Sequence, residues 1–544
     1  MNTCREALVR DVSNVLDVDK EGVEDIIERP PSIDLGDYAL PCFTLGENPV
    51  QVAKTLSESL KQKKYIRNID VKGPYLNIFL STKMLLQSVT TEIPQKDNKV
   101  IVEYPSPNLN KPLHIGHARN IAIGKSISNL LRKQGNHVEE HNLFNDRGVH
   151  ICKSMVTYME EANEETPEDT GEKPDHFVGR YYQLFTEKQK EDSSYNRKAQ
   201  KLLQQWEKND DDVMAVWSTM REWCLTGIRE TLRRLSVLHD KEVFESDVYA
   251  DGKRIVSNGL SNNIFEEDEE GAIIIDLEDE DLGVKHVLRP DGTTVYITQD
   301  IGLAVERFEE GADEILYVVG KEQQYHFNCL FSILEKLGYS ATSLHHLGYG
   351  FVTLTSGKMS SREGTVVLID DVLDKVAALA EQELEERYGE KYSERAEKIG
   401  VAALLFTLLR QDTQKDMVFD PEKSMSFKGE TGPYILYTYA RICSVLEPHD
   451  EPEDVLTTQE ERNVLRALTA WPERVQNAVE TRKPSKVANA LLHVAQAYNE
   501  FYHAHKIQTE NKIVRDSRLV LTQKTKTVLE DGFEILGMPY VSEM

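Results

Sequence analysis

Residues 99–135 constrain the fold more than any other part of this chain. They read KVIVEY, then PSPNLNKPL, then HIGHARNIAIGKSISNLLRKQG. The first run is apolar, β-branched and of strand length, and the middle one is a prolyl-rich loop. The last places Ile121, Ile127, Leu130 and Leu131 along one helical face before Gly135, a residue suited to ending a helix. Further strands follow at EILYVVG (314–320) and HHLGYGFVTL (345–354), with the helical pattern HFNCLFSILEKLG (326–338) between them. Strands spaced by helices imply an α/β fold with a parallel sheet, and such sheets receive ligands at the carboxyl ends of their strands.

At 544 residues the chain exceeds what one core sustains, so several domains are expected. Residues 1–92 read as a small α+β unit, in which REALVRDVSNVL and NPVQVAKTLSESL flank DLGDYALPCFTL, and GPYLNIFLS alternates like a strand. TEIPQKDN (91–98) is polar and linker-like. The sheet-bearing unit extends over 93–420, with a helical insertion at about 150–240. Residues 421–544 form an all-helical unit, and Trp471, Tyr498, Phe501 and Tyr502 are expected in its core.

The net charge of −28 argues against a polyanionic partner in general, although local patches decide binding. Acid is concentrated in EEANEETPEDTGEKPD (160–175) and EEDEEGAIIIDLEDED (266–281), read as solvated loops. Between Lys506 and Lys526 the balance reverses, with Lys512, Arg515, Arg518 and Lys524 set against Glu510 and Asp516, and a polyanion is expected to dock there. The six cysteines are scattered and form no CxxC, which suits a reducing compartment and excludes a zinc ribbon. No apolar run reaches the roughly 18 residues of a membrane span. The charged start carries no secretory signal, so a cytoplasmic location is expected.

His114 and His117 flank Gly116 at the point where the first strand passes into its helix. A metal site, a phosphate-binding turn and two incidental histidines all fit that pattern. Helix N-terminal amides and the partial positive dipole favour an anion there, and Gly116 lets a planar base approach the backbone. A metal would need further ligands at suitable spacing, and no CxxC or HExxH lies nearby. A second element, GKMSSREG (357–364), carries Lys358 and Arg362 in a Gly- and Ser-rich loop after a later strand. The pair, in this order, points to a polyphosphate site.

These stretches resemble the class I aminoacyl-tRNA synthetases, whose HIGH motif is residues 114–117 and whose KMSKS motif is KMSSR (358–362) here. SPNLNKPLHIGHARN, NDRG (145–148), VYITQDIGLAVERF (295–308), GPYILYTYAR (432–441) and the ending LEDGFEILGMPYVSEM narrow the resemblance to the arginyl-tRNA synthetase family, nearly end to end. GDYALP (36–41) and GPYLNIFL (73–80) are similar to that family's added N-terminal domain. The chain departs from the pattern at Ser361 and Arg362, and Lys111 matches the lysine held to compensate. NDRGVH also lacks the aromatic more usual before the glycine, which leaves the local packing after the second strand open.

The resemblance implies a HIGH-type Rossmann catalytic domain, a small N-terminal α+β domain and an all-helical anticodon-binding domain. It implies ATP-dependent activation of L-arginine and transfer to the terminal ribose of tRNA(Arg), with Mg2+ accompanying ATP, no protein-bound metal or zinc, and a monomer. Lys111, His114, Gly116, His117, His326 and Lys358, Met359, Ser360, Ser361 and Arg362 fall to ATP by this resemblance. Asn108, Glu245, Tyr296, Asp300 and Gln323 fall to arginine. From the residues themselves, a guanidinium calls for a carboxylate, and Tyr296 and Asp300 share a face if a helix begins there. A helix-capping Asp300 and a core tyrosine fit equally well. Tyr75 and Asn77 would touch the tRNA D-loop, and Tyr434, Tyr437 and Met544 would lie near the anticodon, where exposed aromatics stack unpaired bases. Two rivals remain: a synthetase for another amino acid, and a non-catalytic tRNA-binding paralogue.

Overall fold

In the computed structural model, residues 4–89, 93–354 and 367–544 are described. Helix α1 (Cys4–Leu16), strand β1 (Tyr38–Pro41), helix α2 (Pro49–Leu60) and strands β2 (Ile66–Lys72) and β3 (Tyr75–Leu80) build the N-terminal unit. Its antiparallel sheet has the order β1-β3-β2. The alternation of β3 turns Leu76, Ile78 and Leu80 inward to meet Leu8 and Val12 of α1 and Leu56 of α2. Helix α2 starts where Asn48 accepts the Gln51 N–H at 3.2 Å and Pro49 supplies a preset φ.

The central sheet begins with β4 (Lys99–Glu103), followed by helix α3 (Ile115–Lys133) and β5 (His137–Phe144). Helices α4 (Val149–Glu161), α5 (Pro174–Glu191), α6 (Ser194–Glu207) and α7 (Asp211–Arg234) form the insertion, and β6 (Lys241–Phe244) resumes the sheet. Helix α8 (Glu245–Ser261) leads into a small antiparallel sheet of β7 (Glu266–Glu267), β8 (Ile273–Leu277) and β9 (Gly283–Leu288). Then come α9 (Tyr296–Glu309), β10 (Glu314–Gly320), α10 (Gln324–Lys336) and β11 (Leu344–Tyr349). The central order is β11-β10-β4-β5-β6, every pair parallel. The chain therefore winds outward one way from β4 and returns on its other side, so the β4/β10 junction is a switch point open to a ligand.

The stretch 345–354 is not one strand. After Tyr349 the chain leaves the sheet, and β12 (Val352–Leu354) pairs instead with β13 (Met417–Phe419). The cause is a set of competing hydrogen bonds. Arg119 donates to the carbonyls of Gly350 (2.8 Å), Lys415 (2.7 Å) and Asp412 (3.1 Å), while the Phe351 N–H is taken by Asp416 at 2.9 Å.

Helices α11 (Ile369–Tyr388), α12 (Ser393–Arg410), α13 (Gly432–Val445), α14 (Gln459–Thr481), α15 (Pro484–Ala504) and α16 (Lys512–Leu536) complete the chain. Trp471, Tyr498 and Phe501 are buried there, whereas Tyr502 is half-buried with Arg441 over its ring at 4.6 Å. The N-terminal unit docks onto α14. Arg29 donates to the Thr469 carbonyl at 2.8 Å and pairs with Glu473, and Arg462 forms a buried ion pair with Asp37. Among the described residues no helix is long and apolar enough to cross a membrane.

Candidate functional site

His114 is the N-cap of α3, just beyond the carboxyl end of β4. Its Nδ1 accepts the Gly116 N–H at 3.2 Å, and the Nδ1 of His117 accepts the His114 N–H at 3.1 Å. The rings lie against each other at a tilt, with centroids 3.8 Å apart and planes 32° from parallel. Because both δ nitrogens are acceptors, the ring protons reside on the ε nitrogens. Burial, reinforced by Lys111, pushes the His114 pKa down to about 4. Burial followed by the neighbouring His114 holds His117 well below its ordinary value. Two neutral imidazoles thus present N–H donors beside the first-turn amides of α3, an arrangement that can receive the oxygens of an anion. A β-carbon at Gly116 would stand 3.0 Å from the His114 ring and press on it. Lys111 is half-buried on the preceding loop, and burial lowers its pKa.

Asn108 joins this loop to the end of β5. The Leu109 N–H donates to Asn145 at 2.9 Å and the Asn145 N–H to Pro107 at 3.0 Å. The next residue, Asp146, is fully buried and takes the Ser246 N–H and hydroxyl (2.9 and 2.7 Å) and Arg221 (2.8 Å). It thereby fixes the start of α8, where Glu245 is the first residue. Glu245 is 4% exposed and its Oε2 has no hydrogen-bond partner. Burial raises its pKa to about 7, against the pull of Arg147.

Helices α8 and α9 cross at two glycines. A β-carbon on Gly252 would lie 2.0 Å from the Thr298 carbonyl oxygen, and one on Gly302 would lie 2.7 Å from the Gly252 nitrogen. This close crossing carries Tyr296 and Asp300, one turn apart at the start of α9, toward Glu245. Tyr296 is 66% exposed, so it is no core tyrosine. Asp300 is not the N-cap of α9, a position that Val295 holds. Its Oδ2 lies 2.6 Å from the Nε2 of His326 on α10. Burial lowers the His326 pKa, but the bond to Asp300 outweighs it and the net shift is upward. Gln323 lies in the turn before α10. Lys358, Met359, Ser360, Ser361 and Arg362 fall outside the described residues.

The residues expected to meet RNA are placed less uniformly. Tyr75 is 40% exposed and packs edge-on against Phe43, itself 55% exposed. Asn77, by contrast, is buried, on the central strand β3 with Ala39 and Asp70 as its lateral neighbours. Tyr434 and Tyr437 are half-buried rather than exposed, and Tyr437 is flanked by the guanidinium groups of Arg387 (5.1 Å) and Arg441 (4.8 Å). Met544 is buried against the helical core. The basic stretch at 506–526 is largely neutralised within the chain: Lys512 pairs with Asp450 and Asp516, Arg518 with Glu461 and Lys526 with Glu530. Basic groups gather instead around a cavity of about 970 Å³ between the N-terminal unit and α14–α15, lined by Arg466, Arg474, Lys486 and His493 together with Glu500 and with Arg29, which pairs with Glu473.

Among the described residues, Asp175, His176 and Asp370 come close enough together to hold a metal ion. Lys173 already sits there, 2.8 Å from Asp370 and 3.3 Å from Asp175, and supplies the positive charge.

Three family descriptions match the chain: the arginyl-tRNA synthetase N-terminal domain at 2–80, the catalytic domain of class I tRNA synthetases (R) at 80–421 and the DALR anticodon-binding domain at 435–544. An arginine–tRNA ligase of Treponema pallidum is 39% identical over 96% of this chain and 95% of its own length. One from Parabacteroides distasonis is 36% identical, over 92% and 91%. The arginyl-tRNA synthetase of Thermus thermophilus superposes over 100% of both chains with a TM-score of 0.80 at 25% identity.

Proposed function

We propose that this chain, which belongs to the arginyl-tRNA synthetase family, activates L-arginine with ATP and transfers it to the 3′ ribose of tRNA(Arg). A carboxylate oxygen of arginine attacks the α-phosphorus, the bond to the β-phosphate breaks, and pyrophosphate leaves. A terminal ribose hydroxyl then attacks the arginyl carbonyl and releases AMP and a proton. Neither step needs a covalent enzyme intermediate, so the residues act by positioning and by stabilising charge on phosphate oxygens. His114 and His117 donate their Nε2–H groups to phosphate, with Lys111 and the KMSSR segment adding positive charge. Mg2+ enters with ATP as the charge partner of its phosphates, and no protein ligand is assigned to it.

One observation carries the amino-acid assignment. Glu245 is buried with an oxygen that lacks a hydrogen-bond partner, and, beyond burial, the charge of Asp300 is near enough to push its pKa up, so a guanidinium between the two would satisfy both. Tyr296 would cover it, while Asn108 and Gln323 would hold the α-amino and carboxyl groups. Two converging carboxylates disfavour a synthetase for a neutral amino acid, and the ordered imidazole pair disfavours an idle paralogue. For tRNA, the exposed Tyr75–Phe43 pair supports D-loop contact by residues 1–92, and the basic cavity beside α14 supports docking of the backbone. Tyr434, Tyr437 and Met544 serve the anticodon within residues 421–544 by shaping the helical surface. The six free thiols support a cytoplasmic enzyme, taken as a monomer. ATP–pyrophosphate exchange with each amino acid, with and without tRNA, tests the reading. Exchange driven by arginine alone is expected, and exchange with another amino acid or with none refutes it.

A further inference from the structure

Asp370, the second residue of α11, is buried, and its carboxylate is met by four side-chain donors. It receives Lys173 Nζ at 2.8 Å, the Thr231 hydroxyl at 3.1 Å, His176 Nε2 at 3.2 Å and Arg234 Nη1 at 3.3 Å. Those donors belong to two helices of the insertion, α5 and α7, and to the residue that caps α5. The carboxylate is thus the pin by which α11 is fastened to the insertion. Removing it would leave the charges of Lys173 and Arg234 to Asp175, Asp374 and Glu397.

The residues just before Asp370 are joined to the histidine turn. The Ile115 N–H donates to Val367 and the Ile369 N–H to Leu113, both at 2.9 Å, so that His114 and Leu368 face each other as a bridge pair. The main chain at His114 is therefore gripped on both sides by a segment whose own position is set, one residue later, by Asp370. Helix α5 adds a second support. Gly179 lets it pass so near Pro112 that a β-carbon there would lie 2.6 Å from Pro112 Cδ, and its Tyr182 ring lies under Lys111 at 5.8 Å. One helix thus braces both the Lys111 loop and, through Asp370, the His114 cap.

We propose that Asp370 is a positioning residue for adenylate formation: pinned by Lys173, His176, Thr231 and Arg234, it holds the Val367–Ile369 segment that sets the main chain of His114 and hence the direction of the His114 and His117 ring donors. The proposal rests on the reading of those rings as phosphate donors, and its test separates the two. Uniformly 15N-histidine-labelled wild type, D370N and T231V are compared in ring 15N spectra, with His114 assigned from H114Q. In parallel, arginine-dependent pyrophosphate exchange is measured with tRNA present. D370N should move the His114 Nδ1 resonance and lower kcat by about 10²-fold, the order expected for misplacing a catalytic group by about 1 Å, with KM for arginine unchanged. T231V, which removes one donor and no charge, should shift both in the same direction by less. In a double-mutant cycle the D370N effect on kcat should shrink in the H114A background, because one of the two ring donors that Asp370 orients is then gone. Unaltered His114 resonances in a folded variant, additive rate losses, or an effect confined to KM would overturn the proposal. A shifted resonance together with a wild type that exchanges with no amino acid would sink the functional reading and leave the positioning role standing. If D370N does not fold, T231V decides by the same criteria.

Discussion

Replacing Glu245 by Gln should make the free protein more stable and the enzyme worse. Glu245 is buried, one of its oxygens has no partner, and its pKa rises from an ordinary 4.5 to about 7. A carboxyl whose pKa is higher in the fold than in the unfolded chain binds an extra proton when folded, between those two values. Stability therefore falls as pH rises through that window, and the full penalty is present above about 7. At about 1.36 kcal/mol per pH unit, the gap between 4.5 and about 7 comes to about 3 kcal/mol. Gln keeps the shape and has no proton to lose, so E245Q should gain up to about 3 kcal/mol over the parent at pH 8 and almost nothing at pH 5. Urea unfolding of both proteins at the two pH values measures this. The same exchange removes a desolvated partner of the guanidinium, which is worth about 2–5 kcal/mol, so arginine kcat/KM should fall by about 30-fold or more. In the parent, KM for arginine should rise as pH drops below about 7, because the guanidinium then meets a neutral carboxyl. Equal stability of the two proteins at pH 8, or undiminished arginine activation by E245Q, would refute this account of the pocket.

Asp300→Asn should cut arginine kcat/KM by about 10²–10³-fold, leave KM for ATP unchanged and lower the His326 pKa, read by histidine NMR titration. His117→Ala should slow pyrophosphate exchange by about 10²-fold or more while tRNA affinity, measured by filter binding, stays the same. Arg474→Ala combined with Lys486→Ala should weaken tRNA binding and flatten its salt dependence, since fewer phosphates are then neutralised; an unchanged slope would remove the cavity beside α14 from the RNA surface. Tyr434→Ala should impair charging of tRNA more than any tRNA-independent exchange.

What could be read in advance was what is local. The strand at 314–320 is an apolar run of the right length, and His114 and His117 sit in a strand–loop–helix whose end is marked by Gly135, at φ +88°. Tyr296 and Asp300 share a helical face by spacing alone. What could not be read depended on partners distant in the chain. Arg119 looks like a solvent-facing residue of an amphipathic helix, yet it is fully buried because three carbonyls from 350–415 converge on it. The approach of Glu245 to Asp300 depends on Gly252 and Gly302 meeting across two helices, and neither glycine carries a signal by itself. Charge counting along 506–526 failed for the same reason, since Asp450 and Glu461, which neutralise that stretch, lie outside it. Asp146 lies within NDRG, but its task of fixing the start of α8 is visible only once Ser246 and Arg221 are seen on it.

The pairing of Asp37 with Arg462 bears on how the chain is made. Both groups are almost wholly enclosed, and they lie 425 residues apart. At roughly 5–20 residues per second, a ribosome that has delivered Asp37 takes on the order of 20–80 s to deliver its partner. Over that interval the first unit must hold an uncompensated carboxylate and an undocked face, including Arg29, without closing on the wrong surface. The small unit that opens the chain thus completes its packing only once α14 has been delivered. Trimming it away from the finished enzyme would recreate the same deficit on the other side, leaving Arg462 as a stranded charge on α14.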